Sequence, residues 1–396
     1  MSSNSDNTLF YPWMEPFIFS HDAHVNEPPD LFKKYMSDKH KHLAVRAERQ
    51  DIDGVKYLVF LSGDTVLHRM QLADGWSFRC DPNELSGKVG SWDIRARLHD
   101  MAFDGTDASV IYSSLAGWGW ALGPEVGLQH INAYNEWCID HFKDFPNTFV
   151  PSAMLPVWDP VQTLKEFERM KSLGYRSVML PMELPHADPI PYNDKAWEPV
   201  WAFAEEAGIP LSLHLSTGGT LVTERGAGAA CMNYFNLGTA ALHTIALLIS
   251  SGALDRHPKL KIVITETGCN WLTWVGERLD EVYTRHAHYV RPKLSRMPSE
   301  ILYSQFLVTT HREREWINNR HVTGVDCICF SNDFPHREGT FPESKIWIDY
   351  IFAGSNISPK EKYMVLGGNA AKLYGMDPVK SREEKARIDM SGFAIL

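Results

Sequence analysis

Short apolar segments alternate with longer amphipathic segments along most of this chain, and this alternation is the feature that most constrains its fold. Eight apolar segments predict buried strands, at residues 17–24, 108–113, 148–155, 177–181, 209–214, 261–266, 305–310 and 326–331. Seven amphipathic segments predict helices, at residues 92–103, 125–145, 160–173, 194–207, 234–252, 271–290 and 312–319. Strands that are each followed by a helix indicate a parallel sheet. Eight such units favour an α/β fold of the (β/α)8 TIM-type barrel over an open, doubly wound sheet.

The predicted barrel is interrupted after its first strand. Residues 43–48 and 56–61 have the composition of strands and flank Asp53-Gly54, a dipeptide typical of tight hairpin turns. We therefore expect four parts, namely a barrel start at residues 1–29, an inserted β-rich cap at 30–89, the rest of a distorted barrel at 90–375 and a polar C-terminal tail at 376–396.

The composition excludes several classes of protein. With 396 residues, 44% of them apolar, the chain can bury a large core. Its net charge of −10 argues against a nucleic-acid partner. It has neither a signal-peptide pattern nor an apolar run of about 18 residues, so we expect a cytoplasmic protein that does not enter a membrane. The six cysteines show no paired spacing and predict free thiols.

Metal-binding residue types cluster at the C-terminal ends of the predicted strands, where α/β barrels carry their reactive groups. Six positions are candidate ligands: Asp22, His24, Glu27, His214, Glu266 and Asp333. Asp22 and His24 are two residues apart, so they point to the same side of a strand. Imidazoles and carboxylates that converge from several strands predict a divalent metal site, with zinc, manganese or iron as candidates and one or two ions.

Further residues are candidates for catalysis or substrate binding. We expect Asp333 to accept a proton from water while His214 holds the metal, and His336 could reach a substrate oxygen. His243, inside a predicted helix, is either a ligand, a proton carrier or a buried histidine. Loop tryptophans offer apolar surface, either to a substrate ring or to the inserted cap. They are Trp118, Trp120 and Trp158.

Several segments together resemble the amidohydrolase superfamily, in the amidohydrolase 2 branch related to aminocarboxymuconate semialdehyde decarboxylase. They are DAHVNEPPDLF at 22–32, GYRSVMLP at 174–181, LSLHLSTGG at 211–219, the segment ending TETGCNW at 271, SNDFPHREGTFPES at 331–344 and GNAAKLYG at 368–375. The resemblance implies a metal at the barrel mouth and a homo-oligomer, either a dimer or a tetramer. The family's paired histidines on the first strand fall on Asp22 and His24.

The chain departs from the family pattern at two positions that bear on the reaction. Asp22 replaces the first histidine of the pair, and Glu266 stands where decarboxylase relatives place a histidine. No lysine is present in the strand-four region 181–185, which argues against a carbamylated-lysine bridge. Glu266 is a second-metal ligand, a proton donor with a raised pKa, or a structural carboxylate.

These observations predict an enzyme that acts on a small organic acid derivative. Metal-dependent hydrolysis of an amide, ester or related acyl bond of a hydrophobic or aromatic substrate is the expected reaction. Non-oxidative decarboxylation of an aromatic or unsaturated acid is the alternative within enzymes. The alternative from another class is an inactive barrel that binds a small molecule or a protein.

Overall fold

Eight parallel strand positions surround one axis in the computed structural model, which describes residues 16–28, 30–72, 88–185 and 189–387. The strands are β1 (Phe19–Ser20), β2 (His24–Val25), β3 (Val45–Ile52), β4 (Val55–Ser62), β5 (Thr65–Gln71), β6 (Ala108–Ser113), β7 (Phe149–Met154), β8 (Ser177–Pro181), β9 (Leu211–His214), β10 (Ile262–Thr265), β11 (Phe306–Thr310) and β12 (Ile328–Phe330). The predicted TIM-type barrel is confirmed, with β1 and β2 as two pieces of its first strand.

Helices follow most of the barrel strands, as the amphipathic segments predict. They are α1 (Leu31–Tyr35), α2 (Ile94–Asp104), α3 (Gly123–Phe142), α4 (Pro160–Ser172), α5 (Glu198–Ala207), α6 (Ala229–Ser250), α7 (Ala253–Arg256), α8 (Trp271–Arg285), α9 (Pro298–Gln305), α10 (Trp316–Thr323), α11 (Ser344–Phe352), α12 (Pro359–Tyr363), α13 (Asn369–Tyr374) and α14 (Pro378–Ala386). None of these described helices combines the length and apolar character needed to cross a bilayer.

Strand pairing places all the strand ends that carry ligand residues at one rim. Neighbouring strands follow the order β1, β6, β7, β8, β9, β10, β11, β12, and every pair is parallel. The barrel is nearly closed by the N–H of His21, which donates to the carbonyl of Phe330 at 3.0 Å. Barrel strands such as β6 are buried along their whole length, because helices cover the outside and side chains fill the inside.

The segment after the first strand forms a separate antiparallel sheet in the order β3, β4, β5. The turn between β3 and β4 has positive φ at Asp53 and Gly54, as a two-residue hairpin turn with the strands' own twist requires. His130 of α3 accepts a hydrogen bond from the N–H of Val45 at 2.9 Å and so joins this sheet to the barrel. Of the expected cap at residues 30–89, positions 73–87 lie outside the described residues.

Part of the expected tail packs on the barrel as helix α14. The Glu384 carboxylate accepts hydrogen bonds from the backbone and side chain of Asn147 and from the Thr148 hydroxyl. The Ser381 hydroxyl donates to the carbonyl of Asp107 at 3.1 Å. Residues 1–15, 29 and 388–396, which belong to the expected barrel start and tail, lie outside the described residues.

Candidate metal centre

Three strand ends bring four ionisable side chains together at the carboxyl rim of the barrel. Oδ1 of Asp22 lies 3.2 Å from Nε2 of His214 and 3.4 Å from Nε2 of His24. The two Nε2 atoms are 3.1 Å apart, and Nε2 of His24 is 3.5 Å from Oδ1 of Asp333. All four side chains are buried. We call them the ligand cluster.

Backbone carbonyls fix the orientation of both imidazole rings. Nδ1 of His24 lies 3.3 Å from the carbonyl oxygen of Ser113, and Nδ1 of His214 lies 2.8 Å from that of Leu215. A neutral ring that donates its Nδ1–H to a carbonyl presents an unprotonated Nε2 to the other side. Both rings therefore aim a metal-binding nitrogen into the cluster.

The spacing of Asp22, His24 and His214 fits one divalent cation, and Asp333 lies beside them next to His24. Two atoms bonded at about 2.1 Å to the same ion lie roughly 3.0 Å apart at right angles and roughly 3.4 Å apart in a tetrahedron. Asp22, His24 and His214 lie 3.1 to 3.4 Å from one another, whereas Asp333 lies 3.5 Å from His24. Imidazole nitrogens and carboxylate oxygens are ligands that such cations accept.

The electrostatics of the cluster also favour a positive charge. Burial alone lowers the pKa of His214, but the charge and hydrogen bond of Asp22 outweigh it and raise that pKa to about 10. Burial and then the charge of Asp22 raise the pKa of Asp333. Two carboxyl groups in one buried place cannot both ionise without a compensating cation. The residues therefore fit the metal that the resemblance implies.

Asp333 adopts a backbone conformation that is uncommon for a residue other than glycine. Its φ is 49°, in the left-handed region that favours glycine, just beyond β12. Its carboxylate is fully buried, and Oδ2 has no hydrogen-bond partner among the described residues. Nδ1 of His336 lies 2.9 Å from Oδ1 of Asp333, and the His336 ring packs on His24 with centroids 4.1 Å apart. His336, which we expected to contact a substrate oxygen, therefore lies against the ligand cluster.

Glu266 lies at the edge of the cluster, beside His214. It follows β10 with a φ of 64°, and its Oε2 is 3.7 Å from Nδ1 of His214. Burial, followed by the charge of Asp333, raises the pKa of Glu266 well above its usual value. A protonated carboxyl is a proton donor, whereas a metal ligand must be ionised. Glu266 also belongs to a second group of possible ligands, with Asp333, His336 and Glu338, whose ligand atoms lie within 4.8 Å of one another.

Glu27, expected as a ligand, does not join the cluster because its carboxylate is already occupied by hydrogen bonds. Oε1 accepts from the Ser113 hydroxyl and the N–H of Ala116, and Oε2 accepts from the N–H of Leu115 at 2.9 Å. The carbonyl of Ser113 orients His24. Glu27 therefore acts on the cluster by holding the loop that follows β6.

His243 is likewise placed outside the cluster, since its side chain is exposed on α6. Trp118 stacks on Phe60 of the antiparallel sheet, with ring centroids 5.7 Å apart. Trp120 is buried and donates its indole N–H to the carbonyl of Leu155 at 2.9 Å. Trp158 packs closely against Gly127. Trp118 thus contacts the inserted sheet, whereas Trp120 and Trp158 contact residues of the barrel, and a substrate-binding role for the three stays a prediction.

Two residues at the site were not predicted from the sequence. His311 directly follows β11, and its Nε2 lies 4.0 Å from Oδ2 of Asp22. Glu338 is exposed and stands in the second group of possible ligands. His311 could have been identified from its position at the C-terminal end of a barrel strand, because the same rule identified His214 and Glu266. Glu338 comes from a long loop, for which no spacing rule applies.

A family model described as Amidohydrolase (Amidohydro_2) matches residues 90–376, which is more than half of the chain. The chain belongs to the amidohydrolase family. The curated relatives of this amidohydrolase include the decarboxylase orsB of Emericella nidulans, which is 29% identical over 241 residues, covering 58% of this chain and 70% of the relative. The recognition made from the motifs is thereby confirmed.

Solved structures share the fold of this amidohydrolase. Amidohydrolase map2389c from Mycobacterium avium subsp. paratuberculosis is 22% identical with a TM-score of 0.73, covering 92% of this chain and 99% of that one. A dihydroxybenzoic acid decarboxylase from Polaromonas, solved with manganese and the inhibitor 2-nitroresorcinol, is 19% identical with a TM-score of 0.62, covering 91% and 97%. The family alone supports hydrolysis, whereas the curated decarboxylase supports the alternative.

Proposed function

We propose that this chain catalyses the metal-dependent, non-oxidative decarboxylation of a small aromatic carboxylic acid. The observation that carries the proposal is the spacing of Asp22, His24 and His214, which suits the ligands of one cation, beside a mostly buried Glu266 whose pKa is raised well above its usual value. Similarity to the decarboxylase orsB supports the same reaction. This proposal replaces hydrolysis, the reaction expected from sequence, as the main candidate.

The ligand cluster would hold one divalent cation, through Asp22, His24, His214 and Asp333. We propose manganese, because half of these ligands are carboxylates and the similar Polaromonas decarboxylase was solved with that ion. When bound, the cation supplies a Lewis acid that binds and neutralises the oxygens of the acid. Ser113 and Leu215 keep both imidazoles oriented towards it.

Glu266 would supply the proton that decarboxylation consumes. Its carboxyl proton passes to the ring carbon that bears the carboxylate. The bond from that carbon to the carboxylate then breaks, its electron pair stays in the ring and carbon dioxide leaves. No oxidant is needed, and Glu266 regains a proton from solvent. In this role the glutamate takes the place that the resemblance assigns to a histidine.

Hydrolysis is the second candidate, because one specific observation favours it. Glu266, Asp333, His336 and Glu338 form a group that could hold a second cation beside the first. Two-ion sites are typical of hydrolases. An ionised Glu266 in such a site could not donate a proton, so the two reactions require opposite states of the same side chain.

Product analysis separates the candidates. Manganese-loaded protein is incubated with benzoates that carry hydroxyl groups and, separately, with their amides and methyl esters, in water labelled with oxygen-18. We expect carbon dioxide from an acid and no labelled acid from the amides or esters. Labelled acid without carbon dioxide would contradict decarboxylation and establish hydrolysis, and neither product from any compound would favour the inactive binding barrel.

A further inference from the structure

Asp104 is a buried carboxylate to which the proposed reaction gives no role. It is the last residue of α2, and only 3% of its surface is exposed. Its Oδ1 accepts a hydrogen bond from the N–H of Ser344 at 3.0 Å, and its Oδ2 accepts one from the Ser344 hydroxyl at 2.6 Å. Oδ2 also accepts a hydrogen bond from Nδ2 of Asn332 at 3.0 Å. Asp104 therefore joins α2 both to the start of α11 and to the residue before Asp333.

Asn332 holds the backbone on both sides of Asp333. Its own N–H donates to the Ser20 hydroxyl at 2.9 Å, and its carbonyl accepts from the N–H of Thr340 at 2.9 Å. Its side-chain Oδ1 accepts from the N–H of Phe334 at 3.2 Å. An asparagine oxygen bonded to the N–H two residues later closes a tight turn around the residue between them. That residue is Asp333, whose φ of 49° places it in the left-handed region.

Ser20 extends the same contacts to the other carboxylate of the ligand cluster. Its hydroxyl donates to one of two oxygens, Oδ1 of Asn332 or the carbonyl of Asp22, and each lies 2.7 Å away. The Asp22 carbonyl also accepts from the N–H of Asp333 at 3.0 Å. These bonds matter because β1 and β12 stand at the two ends of the strand order. Contacts between single residues therefore set how Asp22 and Asp333 lie relative to each other.

We propose that Asp104 is a positioning residue for the metal centre. It acts through Asn332 and Ser20 and holds the two carboxylates of the ligand cluster in place before a cation binds. Ligands that are already held in place lose little conformational freedom on binding, so the partners behind them contribute to metal affinity. Without Asp104, the side chain of Asn332 loses an acceptor and the turn around Asp333 can relax. The proposal rests on the metal centre of the proposed function, but not on the reaction.

Manganese affinity of the full chain tests this role. Isothermal titration with Mn²⁺ compares the metal-free wild type with Asp104→Ala, Ser20→Ala and the matched control Glu384→Ala. Glu384 is also a buried carboxylate, but it accepts hydrogen bonds from Asn147 and Thr148, at the opposite end of the barrel strands. We expect the affinity to fall by about 10- to 100-fold in Asp104→Ala, as for other partners behind metal ligands. Ser20→Ala should lower it by about three- to tenfold, since one hydrogen bond is lost, and the control should keep it.

Electron paramagnetic resonance of the bound Mn²⁺ separates positioning from a general loss of stability. Moved carboxylates should change the spectrum of folded Asp104→Ala, whereas the spectrum of Glu384→Ala should match the wild type. Wild-type affinity and spectrum in folded Asp104→Ala would overturn the positioning role. If that variant does not fold, wild-type affinity in Ser20→Ala would overturn it. An equal loss of affinity in Glu384→Ala would overturn it too, because any lost packing would then weaken the site. A wild type that binds no Mn²⁺ would instead overturn the ligand cluster, and the positioning role with it.

Discussion

Asp22 shows how a single side chain can serve two neighbours in a barrel mouth. Its fully buried carboxylate would be costly to ionise, yet its pKa is lowered because burial is outweighed by His214 and then His24. Two imidazoles fixed by backbone carbonyls therefore keep the carboxylate ionised at this depth. This is the electrostatic basis on which the chain tolerates an aspartate in place of the family's first histidine.

Replacing His214 tests the ligand cluster. His214→Ala should remove the bound metal and lower turnover on the order of a thousandfold, because it deletes one of the two imidazole ligands of the cluster. Metal content by plasma mass spectrometry is the measurement, with His321→Ala as the matched surface control. Full metal content in folded His214→Ala would show that the ion binds elsewhere.

Replacing Glu266 tests the proton donor. Glu266→Gln keeps the size of the side chain but removes its proton, so kcat should fall by roughly 10² to 10⁴ while metal content stays at the wild-type level. Glu343→Gln, an exposed change in the segment that leads into α11, should leave both unchanged. A Glu266→Gln protein that loses metal would identify Glu266 as a ligand.

At the residue scale, the sequence predicted which side chains would lie together but not which atoms each of them would contact. His214 and Asp333 were predictable because strand ends of a parallel barrel meet at one rim. Glu27 lies near the same rim, yet its oxygens are taken by the Ser113 to Ala116 loop, a contact between distant segments that no local pattern encodes. The contact between His311 and Asp22 likewise joins segments that are distant in sequence.

At the scale of elements, His130 is one of the links between the antiparallel sheet and the barrel. Nε2 of His130 accepts from the N–H of Val45, and its Nδ1–H donates to the carbonyl of Val126. A protonated ring could not accept the first of these bonds. Burial lowers the pKa of His130 to about 4, against a small opposing effect of the Val126 carbonyl.

This link predicts a pH-dependent stability. Because the folded pKa is depressed below the unfolded value of 6.5, the stabilisation is present above pH 6.5 and is lost as the pH falls towards 4. The difference in unfolding free energy between wild type and His130→Gln should shrink by about 3 kcal/mol over that interval. Denaturant titrations at several pH values measure it, and a constant difference would contradict the assigned role.

The elements were predictable to different degrees. Barrel strands stood out because they are buried on both faces and are therefore continuously apolar. The hairpin was predictable from the Asp53-Gly54 dipeptide, which is typical of tight turns. Strand β5 was not predicted, since most of its residues are exposed and an edge strand needs little apolar alternation. The break between β1 and β2 was not predicted either, because it results from contacts with the segment after β12.

At the scale of the whole molecule, homo-oligomerisation stays a prediction. Large apolar side chains are exposed on α6 and α8, among them Tyr234, Phe235 and Trp274. Exposed apolar groups of this size are common at subunit interfaces. We expect light scattering to give a multiple of 45.0 kDa. A monomer at micromolar concentration would contradict the expectation.

In the proposed reaction, Glu266 delivers a proton to a ring carbon before the carboxylate leaves. The most direct test uses the manganese-loaded protein in deuterated water, with benzoates that carry hydroxyl groups as substrates. Proton nuclear magnetic resonance of the product shows which carbon has received a deuterium. We expect the product to carry one deuterium, at the carbon that held the carboxylate. This product should form at the same rate as carbon dioxide and be almost absent with Glu266→Gln. Product formed at the wild-type rate by Glu266→Gln, or no deuterated product from any acid, would contradict it.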